Sequence, residues 1–472
     1  MTVKQHRRLI AAGLTLALAT TAPLAAQSRP DQKAFFGLYK ELVETNTTLS
    51  SGSCTKAADQ LATRFRAAGY PDAAIFQFAV PDHPREGGIV LTLPGRDAKA
   101  RPMLLLGHLD VVEAKREDWV RDPFTLIEEG DYYYARGTVD DKAQAAIWAD
   151  TMIRYRTEGY KPKRTIKLAL TCGEETTFAF NGAEWLAKNK RDLIDAEFAL
   201  NEGGGGRIDA SGKRTILAVQ VGEKAAQNFT FETTNPGGHS SQPVPDNAIY
   251  ELADALKAVQ RYEFPVKFTD TTRAFFTTLA TSGTLPPPAA DAIKRLLANP
   301  DDKAADALVS SDKALHSTLR TTCVATLANA GHAENALPQR AAANVNCRIF
   351  PGESVEDTLA KLQELAGPKV KVTANQPIRP TAIPPTLDPK ITGPMKAVAA
   401  KHFPGIPMLP LMSTGATDGI FLEAVGIPVY GAPGTFIDSD GNGTHGLNER
   451  IRIRSLYDSR DYLYDLVKAY AG

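Results

Sequence analysis

Five short motifs set acidic or imidazole side chains beside apolar runs or glycine turns. Gly107-His108-Leu109-Asp110 follows the run Met103–Leu106, and Cys172-Gly173-Glu174-Glu175 follows Thr165–Thr171. Asn201-Glu202-Gly203-Gly204 follows Glu197–Leu200, Asp140-Asp141 sits after a glycine turn at Gly137, and His445 lies in Gly443-Thr444-His445-Gly446. Each has a plain explanation when taken alone: a surface Asp beside a structural His, a helix cap with favourable dipole charge, a solvated glutamate pair. Two unneutralised carboxylates at the end of an apolar strand are costly, however, and a cation removes that cost for one of them. Two histidines with three carboxylates form a donor set suited to two divalent cations sharing one carboxylate. Asp110 is placed to accept the second ring N–H of His108, as a metal-binding imidazole requires.

These residues need a scaffold that brings strand ends together. Gly88–Leu93, Met103–Leu106, Thr165–Leu170 and Glu197–Leu200 read as short strands, and Gln144–Tyr155 as a helix between the second and third. Lys33–Gly69 is helical in period. Alternating strands and helices predict an α/β domain with a largely parallel central sheet, and ligands of such sheets bind beyond the carboxyl ends of the strands. From Ile216 the texture changes to longer strands (216–232, 341–350) around helical stretches at Ala248–Val259 and 290–308, with Pro286-Pro287-Pro288 expected as a rigid loop. A proline-rich crossing after Ile378 leads back to helix, strand and a terminal helix. The expected organisation is a catalytic domain over 27–215 and 379–472, interrupted at 216–378 by an α+β lid or dimerisation domain.

The chain has 472 residues, with 54 Lys+Arg against 54 Asp+Glu, and 43% of it is hydrophobic. That balance excludes global disorder and gives no electrostatic footprint for nucleic acid. Lys4, Arg7 and Arg8, an apolar run from Leu9 to Ala19 and the small pair Ala25-Ala26 describe a secretory signal over 1–26. The run is short for a hydrocarbon layer of ~30 Å, so the expectation is a secreted or periplasmic protein with no membrane anchor after cleavage. Removing that segment takes away three basic residues and leaves 51 Lys+Arg against 54 Asp+Glu. In an oxidising compartment the four cysteines are free to pair; Cys323 and Cys347, in neighbouring strand-like runs, are the first candidates, with buried thiols the alternative.

The motifs together resemble the co-catalytic zinc exopeptidases and amidohydrolases, which include glutamate carboxypeptidase, aminoacylase and the vacuolar-type carboxypeptidases. Further blocks in the same order carry the resemblance: Trp119…Asp122-Pro123-Phe124, Arg136-Gly137, Gly238-His239-Ser240-Ser241, Asn335-Ala336-Leu337-Pro338 and Gly415-Ala416-Thr417-Asp418. It implies two divalent ions, zinc in the family, with Asp140 bridging them. His108 and Glu202 would complete one, Glu175 and His445 the other. It implies Glu174 as general base, Asp110 as the partner of His108, and His239 as an oxyanion donor acting across a dimer or on closure. Asn335 and Arg348 match positions that hold a substrate carboxylate, and the implied substrates are small peptides or N-acyl amino acids. Two departures stand out: Ala143 replaces a customary glycine, and the stretch 265–325 is longer than in compact members, which bears on whether a homodimer forms. A non-catalytic periplasmic relative that binds metal or peptide is the rival. A serine hydrolase is disfavoured, because no Gly-x-Ser-x-Gly elbow is present.

Overall fold

The computed structural model describes residues 29–472 apart from 177, 178, 284 and 433. The leader expected over 1–26 lies outside the described residues. The helical period over 33–69 resolves into two helices, Pro30–Glu44 and Cys54–Ala67, the second capped by Ser53 accepting the Lys56 N–H.

Four apolar strands lie side by side in parallel: Ile166–Thr171, Met103–His108, Phe198–Asn201 and Val429–Gly431. Helices cover the sheet, so these strands are mostly apolar rather than alternating, with one lysine, Lys167, among them. His83–Leu93 and Ile75–Val80 extend one side antiparallel. Arg214–Glu223, Gly204–Ile208, Phe436–Ile437 and Met408–Ser413 complete a mixed ten-stranded sheet on the other. Helix Lys142–Thr157 is buried nearly all round between the sheet and the helices Pro30–Glu44 and Ile453–Ala471. Its Trp148 Nε1 donates to the Leu106 carbonyl at 3.0 Å, pinning helix to strand.

A second, antiparallel sheet orders Thr322–Ala330, Arg340–Ile349, Ala225–Thr234 and Lys371–Ala374, with helices Ala248–Arg261 and Val355–Ala366 packed against it. Because Arg214–Glu223 belongs to the large sheet, we move the proposed junction from 216 toward Lys224. The long stretch after residue 265 forms helices Asp270–Thr281, Pro287–Ala298, Lys303–Val309 and Lys313–Leu319, the first three gathered around Phe276, Ile293 and Leu296. Pro286-Pro287-Pro288 is not the rigid loop that its composition suggests. Pro286 is the N-cap and the next two prolines fill the first helical turn, where no backbone N–H is needed.

Two disulfides are present. Cys323–Cys347 joins residues paired directly across neighbouring strands, the pairing expected. Cys54–Cys172, the pair that remains once Cys323–Cys347 forms, ties the start of helix Cys54–Ala67 to the residue before Gly173-Glu174-Glu175. The reading of the cysteines as buried thiols therefore falls. No helix among the described residues is long and apolar enough to cross a membrane.

Candidate functional site

The parallel strands end at one place. Met103–His108 delivers His108, the loop after Ile166–Thr171 delivers Glu174 and Glu175, and the residue after Phe198–Asn201 is Glu202. The Gly137–Asp141 turn and the Thr444–Glu449 loop close over these ends. Gly173 has φ +99°, and a Cβ there would lie 1.9 Å from the Phe180 carbonyl oxygen, so only glycine permits the turn that presents both glutamates.

Asp140 stands at the centre. Its Oδ1 lies 3.1 Å from His108 Nε2, and its Oδ2 lies 3.1 Å from His445 Nε2. His108 Nε2 also lies 3.6 Å from Glu202, and His445 Nε2 lies 2.9 Å from Glu175. The donor atoms therefore fall into two triads, His108–Asp140–Glu202 and Asp140–Glu175–His445, each within 4.8 Å. Donors ~3.3 Å apart are what a tetrahedral ion with ~2 Å bonds requires, so the residues fit two small divalent cations.

The electrostatics point the same way. Burial, together with Asp418, Glu175 and Asp140, pushes Glu174 well above the usual carboxylate range. Burial also pushes Glu202 well up, reinforced by Glu174 and Asp140. Asp140 is held low against its own burial by His108 and His445, and Asp140 and Glu175 push His445 up to about 10. A carboxylate cluster this deep demands positive charge.

Asp110 departs from its expected contact. His108 Nδ1 donates to the Asp110 backbone carbonyl at 3.0 Å, while the carboxylate lies 3.6 Å away. The Asp110 Oδ2 instead accepts the Glu175 N–H at 3.0 Å, so one residue orients both His108 and the glutamate loop.

A cleft of about 200 Å³ opens beside Glu174, Glu175 and His445 and is lined by Arg348, as expected, and by Arg379, which the sequence did not single out. His239 and Asn335 are brought together but do not line this cleft. The Gly238–His239 strand pairs with Ala336–Leu337, the Ser240 N–H donates to the Asn335 carbonyl, and His239 is exposed.

Two further buried groups organise the site. Glu449 accepts the backbone N–H groups of Gly137, Val139 and Asp140 and the Arg136 guanidinium at 2.8–3.1 Å. Arg136 also donates to the Gly446 carbonyl, beside His445, which has φ +60°. Asp418 accepts from Thr171 and Asn181 at the mouth of the glutamate loop. Arg136 and Asp418 lie in motifs already noted; the role of Glu449, so far along the chain from Asp140, had no local signal.

The model of peptidase family M20/M25/M40 matches residues 104–469. The human N-fatty-acyl-amino acid synthase/hydrolase PM20D1 is 26% identical over 410 residues, covering 84% of this chain and 80% of that protein. An M20 family metallo-carboxypeptidase from Sulfolobus solfataricus superposes with a TM-score of 0.71 at 18% identity, over 94% of this chain and 100% of that one. The YXEP protein of Bacillus subtilis, a dinuclear metal binding M20 peptidase, gives 0.59 at 12% identity, over 93% and 98%. Fold, motif order and family match agree: the chain belongs to peptidase family M20/M25/M40 and is an enzyme of the peptidase and amidohydrolase kind.

Proposed function

We propose that this enzyme is an exported two-metal hydrolase that cleaves a peptide or N-acyl-amino-acid amide next to a free carboxylate. The carrying observation is Asp140, whose two oxygens each face a different imidazole at 3.1 Å. His108, Asp140 and Glu202 would hold one divalent cation and Asp140, Glu175 and His445 the other, with zinc suited to a mixed imidazole–carboxylate set. When bound, such ions lower the pKa of water and polarise an amide carbonyl.

The chain's own residues do the rest. Glu174, beside the donors and facing the cleft, takes the proton of the attacking water and returns it to the leaving amine. Arg348 receives the substrate carboxylate through paired N–H donors. Asp110 keeps His108 and the glutamate loop in register. His239 stabilises the developing oxyanion from a second copy of the chain, with Asn335 beside it. Two disulfides and the expected leader support an oxidising, extracytoplasmic location.

Chelation of the purified mature protein should abolish amine release from dipeptides and N-acyl amino acids, and zinc should restore it. Zinc-loaded Glu174→Gln should bind two equivalents of metal yet turn over about 10²- to 10⁴-fold more slowly. Amine release indifferent to chelation sinks the two-metal reading, and substrate binding without release favours the non-catalytic rival.

A further inference from the structure

Buried arginines in this protein are matched with carboxylates. Arg136 meets Glu449 at 2.9 Å, Arg460 meets Asp150 at 2.8 Å, and Arg320 meets Asp306. The two arginines of the cleft are not. Among the described residues no carboxylate lies within 4.0 Å of the guanidinium of Arg348 or Arg379, and Glu174 acts on Arg348 only from beyond that range. Both side chains are half-buried.

Arg379 is positioned by other means. Its backbone N–H donates to Gln227 Oε1 at 3.0 Å, and Gln227 Nε2 binds the Asn375 carbonyl at 2.7 Å, clasping this stretch to the strand Ala225–Thr234. Its guanidinium lies 5.3 Å from the centre of the Phe421 ring. Arg348 pairs across the sheet with Ala226, whose small side chain leaves space beside it. Two guanidinium groups from separate segments thus enter one cleft, with Ile420 and Phe421 as an apolar wall. One carboxylate neutralises one of them. A short methylene stem laid on that wall and ending in a second carboxylate would neutralise the other.

We infer that Arg379 is a second anion-recognising residue and that the favoured substrates are amides of glutamate, one carboxylate for each arginine. The inference rests on the hydrolase reading above and deepens it. Arg379 is then a specificity-determining residue, and the acyl side of the amide is left to other surfaces.

The test compares one acyl group on glutamate, glutamine and leucine, with kcat/KM measured for the zinc-loaded wild type, Arg379→Gln and Arg379→Lys. In the wild type glutamate should exceed glutamine about tenfold or more. Arg379→Gln should bring that ratio to about one, mainly through KM, and Arg379→Lys should keep part of it, since charge survives without the fork. A wild type that prefers glutamine or leucine overturns the inference alone. So does an Arg379→Gln that slows all three substrates equally, because both arginines would then grip one carboxylate. Cleavage of none of the three, nor of the dipeptides and other N-acyl amino acids above, overturns the hydrolase reading and this inference with it.

Discussion

Lys224 carries an amine into a place with no counter-ion in contact, Glu353 acting on it only from a distance. It is fully buried, its Nζ lies 3.3 Å from Thr322 Oγ1 and 3.5 Å from Ser317 Oγ, and no described carboxylate lies within 4.0 Å. Burial, then Arg348, pushes it down to about 7 from 10.5. The unfolded chain therefore binds the extra proton between about pH 7 and 10.5, so wild-type stability rises with pH across that window. Lys224→Met removes the buried ammonium and should stabilise the protein at pH 7 by ~1–3 kcal/mol. The gain should shrink as the pH approaches 10.5, which melting curves across that range would show. A pH-independent gain would mean that packing, not charge, sets the cost. Nothing in the sequence marks this lysine, because its cost comes from neighbours that only the second sheet assembles. Three of the proposed metal donors, His108, Glu175 and Glu202, were legible for the opposite reason: each adjoins the apolar strand that places it.

At the scale of elements, the site depends on loops distant in sequence holding one geometry. Asp140 and His445 lie on different loops, and the buried pair Arg136–Glu449 joins them. Glu449 takes three backbone N–H groups of the Asp140 turn, while Arg136 holds the Gly446 carbonyl. Glu449→Gln keeps the shape but turns an N–H donor toward donors and leaves Arg136 unpaired. Breaking a buried pair in this way costs ~3–5 kcal/mol. Loss of a group that orients ligands weakens metal binding ~10- to 100-fold. A lower melting temperature with weaker zinc retention against a chelator is the expected result; unchanged zinc affinity would make the pair a fold support alone. The Cys54–Cys172 bond, with its sequence separation of 118, braces the glutamate loop from the other side. Both braces escape a local reading because each is a long-range pairing, whereas Cys323–Cys347 was within reach at a separation of 24. The proline triplet misled for a local reason: the same residues suit a loop or the first turn of a helix.

At the scale of the whole molecule, the oxyanion role proposed for His239 turns on how its imidazole would reach the cleft. Its hairpin is exposed and does not line the cleft, so in the proposed role the imidazole would have to arrive either by closure of its own lid or from a second copy. The extra helices resist closure, since Asp270–Thr281 packs against the main-sheet strand Met408–Ser413 and ties the inserted segment to that sheet. The same helices leave the edge strand Thr322–Ala330 uncovered. Val324 and Leu327 there are 61% and 71% exposed, and an unpaired strand edge is ready for a symmetric partner. The long insertion that put the dimer in question thus favours it on both counts. Co-expressed His239→Ala and Glu174→Gln chains, each inactive alone, decide the matter. In a mixed dimer the subunit that keeps Glu174 receives His239 of the partner subunit, so one site in two works. With half of a random mixture as mixed dimers, about a quarter of the wild-type rate should return. If His239 served its own subunit, every site would lack one of the two groups and no activity would return. Replacing Leu327 with Asp should abolish the recovery and give monomers in light scattering, because a buried charge at the paired edge opposes association.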